Sequence, residues 1–130
     1  TYRSSEYYVR AVKGKEQTSP ATDPASIIGT PIRVANLIVA QNDFPDRANW
    51  NNAISACAKL GKGWRLPTKI ELNILIQNKD KISMKDTYYW SSTEYNKKQA
   101  FYQTFQSYAN GLQGYRTKET IFRFRAVKSF

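Results

Sequence analysis

Histidine is absent from the 130 residues, cysteine occurs once, and the acidic residues number 10 against 20 basic ones. Without histidine there is no His-based catalytic triad, and most general acid–base chemistry and most zinc and iron sites are excluded. A lone Cys57 cannot form an internal disulfide framework or a Cys-rich metal cluster. No apolar run approaches the ~18 residues of a spanning helix, so membrane insertion is not expected. No charged leader followed by an apolar stretch is present, so no signal peptide is read from this sequence. Ordinary hydrolases and metalloenzymes are poor readings, and binding is the better one.

What is present fits a folded binding domain. Apolar residues make up 41% and aromatics 14%, enough for one modest core. The net charge of +10 favours an anionic partner such as nucleic acid, sulfated glycan, an acidic protein or a membrane surface. The excess is uneven, with 13 basic and 5 acidic residues in 61–130 against 7 and 5 in 1–60.

Residues 7–12 and 32–40 read as strands, separated by a Gly-, Pro- and Ser/Thr-containing stretch over 14–31 that reads as a linker or loop. Asp46 is the expected N-cap of a first helix, on which Trp50, Ala53, Ile54, Cys57 and Leu60 recur at helical spacing before Gly61. On that stripe Cys57 is expected as a small buried thiol. Thr68 and Glu71 have capping-box spacing and begin a second helix with Leu72, Leu75 and Ile76 inward, fading near Asn78. Strand patterns follow over 88–92, 100–107 and 121–128, the last placing Phe122, Phe124 and Ala126 opposite Arg123, Arg125 and Val127. Helices followed by antiparallel strands make an α+β domain. Arg10-Ala11-Val12-Lys13 returns as Arg125-Ala126-Val127-Lys128. Residues 1–13 are thus either a terminal strand of this domain or the remnant of an upstream copy, and the main domain spans 32–130.

Two motifs carry a resemblance. Gly63-Trp64-Arg65-Leu66-Pro67-Thr68 with Glu71, then Tyr89-Trp90-Ser91-Ser92-Thr93, and a closing Phe124-Arg125-Ala126-Val127 form one constellation. With the upstream Ala40, Asp43, Trp50, Ala53, Cys57 and Leu60 spacing, the chain from 27 to 130 resembles a bacterial family of C-type-lectin-like fold. That family occurs at the ends of collagen-like adhesins and in surface or secreted proteins, and is related to retroelement-diversified variable proteins. The resemblance implies two helices on a small antiparallel sheet, with long loops carrying the ligand surface. It also implies an extracellular, cell-surface or phage-borne location. Ala126 stands where relatives often have Cys, so Cys57 has no partner there.

Trp50, Trp64, Arg65, Leu66, Pro67, Thr68, Glu71, Trp90, Ser91 and Ser92 read as scaffold, with aromatic anchors, a helix start and hydroxyls that satisfy backbone groups. The ligand face is expected in 95–118, where Tyr95, Tyr102, Tyr108 and Tyr115 accompany Asn96, Lys97, Lys98, Gln103, Asn110, Arg116 and Lys118. Tyrosine gives a large contact area at low rotamer cost, as adaptable binding surfaces require. The runs that hold calcium in calcium-dependent lectins are absent, and no metal or cofactor is expected. The reading is a non-enzymatic recognition domain for an anionic glycan or a host or bacterial surface protein. The alternatives are a structural tip that meets a neighbouring subunit, with homo-oligomerisation open, and a diversified protein-binding domain. Basic and aromatic residues also interleave as single-strand binders require, but no nucleic-acid-binding motif appears, and nucleic acid is not the expected partner.

Overall fold

The computed structural model describes residues 23–109 and 111–130. The chain runs α1 (Pro24–Ile28), β1 (Ile32–Val34), β2 (Leu37–Val39), α2 (Trp50–Ala58), α3 (Lys69–Ile76), α4 (Lys79–Ile82), β3 (Tyr88–Glu94), β4 (Gln99–Thr104), a 3-10 turn (Ser107–Ala109), β5 (Gln113–Thr117) and β6 (Val127–Ser129). Two three-stranded antiparallel sheets result, ordered β1-β2-β6 and β3-β4-β5. The α+β expectation holds, with two short helices beyond the two expected. The strand at 7–12 and the 10–13 repeat lie outside the described residues.

Several boundaries differ from expectation, each for a physical reason. The single strand expected over 32–40 is a hairpin, because Ala35 takes a left-handed conformation (φ 54°) between Val34 and Leu37. Asp46 does not cap α2; Asn49 does, accepting from the Asn52 N–H. Paired bonds between Ala48 and Phe122 hold the chain extended up to that point, so the helix cannot begin earlier. In the segment read as a linker, Pro24–Ile28 forms a short helix that buries Ile27 in the core. The stretch 121–128 is a strand only from Val127; before it, Phe122 and Arg123 make isolated bridges to Ala48 and Tyr89. β5 was not expected at all.

One core gathers Trp50, Ala53, Cys57, Trp64, Leu66, Trp90, Phe122 and Phe124. A second gathers Val34, Leu37, Val39, Leu72, Leu75, Tyr89 and Phe105 between the β1-β2-β6 sheet and α3. The indoles of Trp50 and Trp90 donate to the Ser91 and Ala48 carbonyls, so both aromatic anchors are buried without an orphaned N–H. Burial pushes the Cys57 thiol up to about 12, which makes it an inert core group.

The two motifs meet at the start of α3. Gly61 and Gly63 take positive φ (138° and 88°) and turn the chain into Trp64. The Arg65 backbone pairs both ways with Val127, and its guanidinium grips Glu71 bidentately at 2.7 and 3.0 Å. Glu71 also accepts from the Thr68 N–H and Thr68 from the Glu71 N–H, which completes the capping box. Burial works to raise the Glu71 carboxyl, but the hydrogen bonds from Arg65 and Thr68 outweigh it and hold the group below its ordinary value. From the second motif, Thr93 accepts from the Lys69 N–H and the Ser92 N–H donates to the Pro67 carbonyl. Ser91 Oγ is spent on the Phe101 carbonyl and the Thr93 N–H.

An ion pair that the sequence pattern hides ties the molecule together. Arg125, expected on the face opposite Phe124, is buried and meets Asp43 at 2.7 Å, with 2% and 6% of the two side chains exposed. Arg125 also donates to the Ala40, Ile82 and Ser83 carbonyls, and the second Asp43 oxygen accepts from the Tyr89 hydroxyl. Burial first, and the adjoining Asp43 carboxylate next, raise the Tyr89 hydroxyl far above its usual range, so it stays a donor.

Candidate functional site

The β3–β4 hairpin and β5 form the surface on which the expected ligand residues converge. Strand alternation divides them. Phe101 pairs with Tyr115, and Tyr102 with Gly114, so Tyr115 and Phe101 lie on one face while Tyr102 and Arg116 lie on the other.

On the first face the Tyr95 and Tyr115 rings stack at 3.8 Å and 5°. Phe101 meets both edge-on, at 5.7 and 5.9 Å, and Lys69 Nζ lies 4.0 Å from the Phe101 centroid. Tyr95 is 49% and Tyr115 41% exposed, so the stack opens to solvent. The Tyr115 hydroxyl beside it raises the Tyr95 hydroxyl, which stays protonated at neutral pH. Phe101 and Lys69 are additions to the expected set. Phe101 alternates with Tyr102 on a strand read without a ligand role for it, and Lys69 is the first residue of α3, where only a helix was read.

The hairpin tip holds the exposed lysines. Asn96 builds the turn, its Oδ1 accepting from the Lys98 and Gln99 N–H groups and its amide donating to Gln99 Oε1. Lys97 and Lys98 are left exposed. With Asn96, Gln99 and Thr117 they line a shallow recess of about 430 Å³.

On the opposite face Tyr102 packs against Tyr88 and Phe122, and the Arg116 guanidinium lies 5.4 Å from the Tyr102 ring. Gly114 permits this: a Cβ there would come within 2.9 Å of the Tyr102 hydroxyl.

Two expected ligand residues are corrected. Gln103 is fully buried under α3, bonded to the Leu72 carbonyl and accepting from Gln113, so it cannot reach a ligand. It shares a face of β4 with Phe101, but at the end that α3 covers. Lys118 is a strut rather than a free cation. Its ammonium pairs with Glu94 and the Lys97 carbonyl and sits 4.5 Å over the Trp50 ring. Asn110 and the Tyr108 side chain lie outside the described residues. Among the described residues no three His, Cys, Asp or Glu side chains converge on a metal-sized site, and no helix is long and apolar enough to cross a membrane.

Helices packed on two small antiparallel sheets, with β6 returning beside β2, form a C-type-lectin-like fold. The chain is similar to EMS16, an antagonist of the collagen receptor integrin α2β1 (TM-score 0.57, 14% identity, 77% of this chain and 97% of that one). It is similar also to botrocetin (TM-score 0.52, 16% identity, 78% and 96%). The chain belongs to the Lcl C-terminal domain family, whose model matches residues 16–128. No curated protein matches the chain.

Proposed function

We propose that the chain is a non-enzymatic recognition domain whose hairpin face takes an anionic ligand. Sulfated glycan leads, and an acidic surface of a host or bacterial protein is the second source of the same chemistry. The observation that carries this reading is the Tyr95–Tyr115 stack edged by Phe101, with Lys69 against it and Lys97 and Lys98 free at the adjoining tip. Aromatic faces supply apolar contact for sugar rings or side chains, and flanking ammonium groups answer sulfate or carboxylate charge. Glu94, the carboxylate on this strand end, is neutralised by Lys118 and does not oppose an anion. The rigid capped scaffold fixes the face in place.

The nucleophile-bearing residues support a binding role over catalysis. The Cys57 thiol is buried and raised, and Ser91 Oγ is committed to backbone groups. EMS16, of the same fold, is described as a receptor antagonist, in keeping with a protein partner. An extracellular or surface-displayed setting, bacterial or phage-borne, agrees with such a role. A second reading, a tip module that contacts a neighbouring subunit, is favoured by the large exposed apolar residues Ile70, Leu112, Tyr95 and Tyr115. A binding screen of sulfated polysaccharides and acidic proteins at several salt concentrations tests the proposal. Binding that falls steeply with salt is expected, whereas salt-independent binding or none, with stable self-association instead, selects the assembly reading.

A further inference from the structure

Arg123 Nε is, among the described residues, the buried side-chain nitrogen or oxygen that lacks any hydrogen-bond partner. Its position is imposed by the backbone. The Trp90 N–H donates to the Arg123 carbonyl, Phe122 on one side pairs with Ala48, and Phe124 on the other is buried and stacked on Phe44 at 4.4 Å. The side chain is therefore held along the wall of a cleft of about 440 Å³, between loop 41–45 and residues 83–85.

The charges around that cleft are not balanced. Asp43, Lys85, Arg123 and Arg125 all line it. Asp43 is already committed to Arg125 and the Tyr89 hydroxyl. Arg123 and the exposed Lys85 have no carboxylate partner among the described residues. The Arg123 side chain is half-buried, but its Nε–H is a buried donor without an acceptor, which is costly, and few native structures keep one without a ligand, ion or water to answer it. A guanidinium fork in a cleft that a second cationic residue also lines matches the oxygens of a tetrahedral oxyanion.

We infer that this cleft is a second binding site, for a compact oxyanion, a sulfate or phosphate group either free or as the ester of a larger molecule. Arg123 supplies the fork and Lys85 the second charge, and the buried Asp43–Arg125 pair holds the wall in place. The site shares no residue with the hairpin face and does not depend on the reading of that face.

The test follows the side-chain Nε–Hε NMR resonance of Arg123 during titration of the whole chain with sodium sulfate, sodium phosphate and a heparin-type sulfated disaccharide. Sodium chloride at matched ionic strength is the control. A saturable shift with the oxyanions and not with chloride is expected. In the Arg123 variants, which lack that resonance, binding is followed by the backbone amides of Asp43 and Lys85; Arg123→Gln should weaken sulfate binding about tenfold or more, the worth of one charge-assisted hydrogen bond. Arg123→Lys keeps the charge but loses the fork, and should weaken it nearly as much while leaving the backbone spectrum folded. Lys97→Ala/Lys98→Ala should leave the sulfate affinity read at the Arg123 resonance unchanged, whatever it does to binding at the hairpin face. Tighter binding of the disaccharide than of sulfate, lost with Arg123, assigns the site to an ester; equal affinity assigns it to the free ion. A chloride-like response at Arg123, unchanged affinity in Arg123→Lys, or dependence on Lys97 and Lys98 instead overturns the inference.

Discussion

Asp43→Ala is expected to be among the most damaging single changes to this fold. It leaves the Arg125 cation, 2% exposed, without the Asp43 carboxylate and the Tyr89 hydroxyl without its acceptor. Removing one member of a buried ion pair typically costs about 3–5 kcal/mol, because the remaining charge stays buried and uncompensated. The stranded Tyr89 donor belongs to the same loss and is not added separately. A domain of this kind is stable by about 5–15 kcal/mol in all, so the change removes a large share. With a urea slope near 2 kcal/mol/M, the unfolding midpoint falls by about 2 M. Trp50, Trp64 and Trp90 are all buried, so intrinsic fluorescence reports the transition. The pair is coupled: the double variant Asp43→Ala/Arg125→Met should lose less than the sum of the singles, by about 0.5–3 kcal/mol. A cost below about 1 kcal/mol for Asp43→Ala, or strict additivity, refutes the view that this pair holds the C-terminal segment in place.

Other expectations follow from the same contacts. Thr68→Ala, which removes half of the capping box, should cost about 1 kcal/mol in the same urea assay. The Glu71 carboxyl lies below its usual value near 4.5 in the folded chain, so its contribution is complete above that value. It is lost as pH falls below 4.5 through the lower folded value, and Glu71→Gln should flatten that decline of stability. Cys57, raised to about 12 by burial, should resist a thiol reagent at pH 8 in the native state and react with one equivalent in denaturant. Lys118→Ala should lower stability, because it frees Glu94 and uncovers Trp50, whereas Lys98→Ala should leave the melting curve unchanged.

Local signals in the sequence proved sound where the structure is local. The Thr68–Glu71 capping box and the inward Trp50, Ala53 and Cys57 stripe are both present. Asp46 and Asn49 are equivalent as sequence signals, and only the Ala48–Phe122 pairing, 74 positions apart in number (122 − 48), selects Asn49. β5 escaped notice because an edge strand with Gly114, Arg116 and Thr117 has no apolar alternation to display. Alternation shows only that Arg125 lies opposite Phe124, and no local pattern reveals its burial, because its partner Asp43 is 82 residues away. At the ligand face the composition located the right segment, but the period of two split it across a sheet. Tyr102 and Arg116 fell on the face opposite Tyr115, and on the Tyr115 face α3 covers Gln103 but leaves Phe101 beside Tyr95 and Tyr115. Asn96 and Lys118 carry expected residue types, but their side chains build the hairpin.

The most direct test of the recognition role is heparin binding, measured by calorimetry between low and physiological salt, for the chain and for Lys97→Ala/Lys98→Ala. Two exposed cations each worth about 0.2–1 kcal/mol amount to a loss of roughly 2- to 30-fold, with a shallower salt dependence in the double variant. The account predicts that loss with an unchanged fold; heparin affinity equal in the two proteins, or no binding by either, contradicts it.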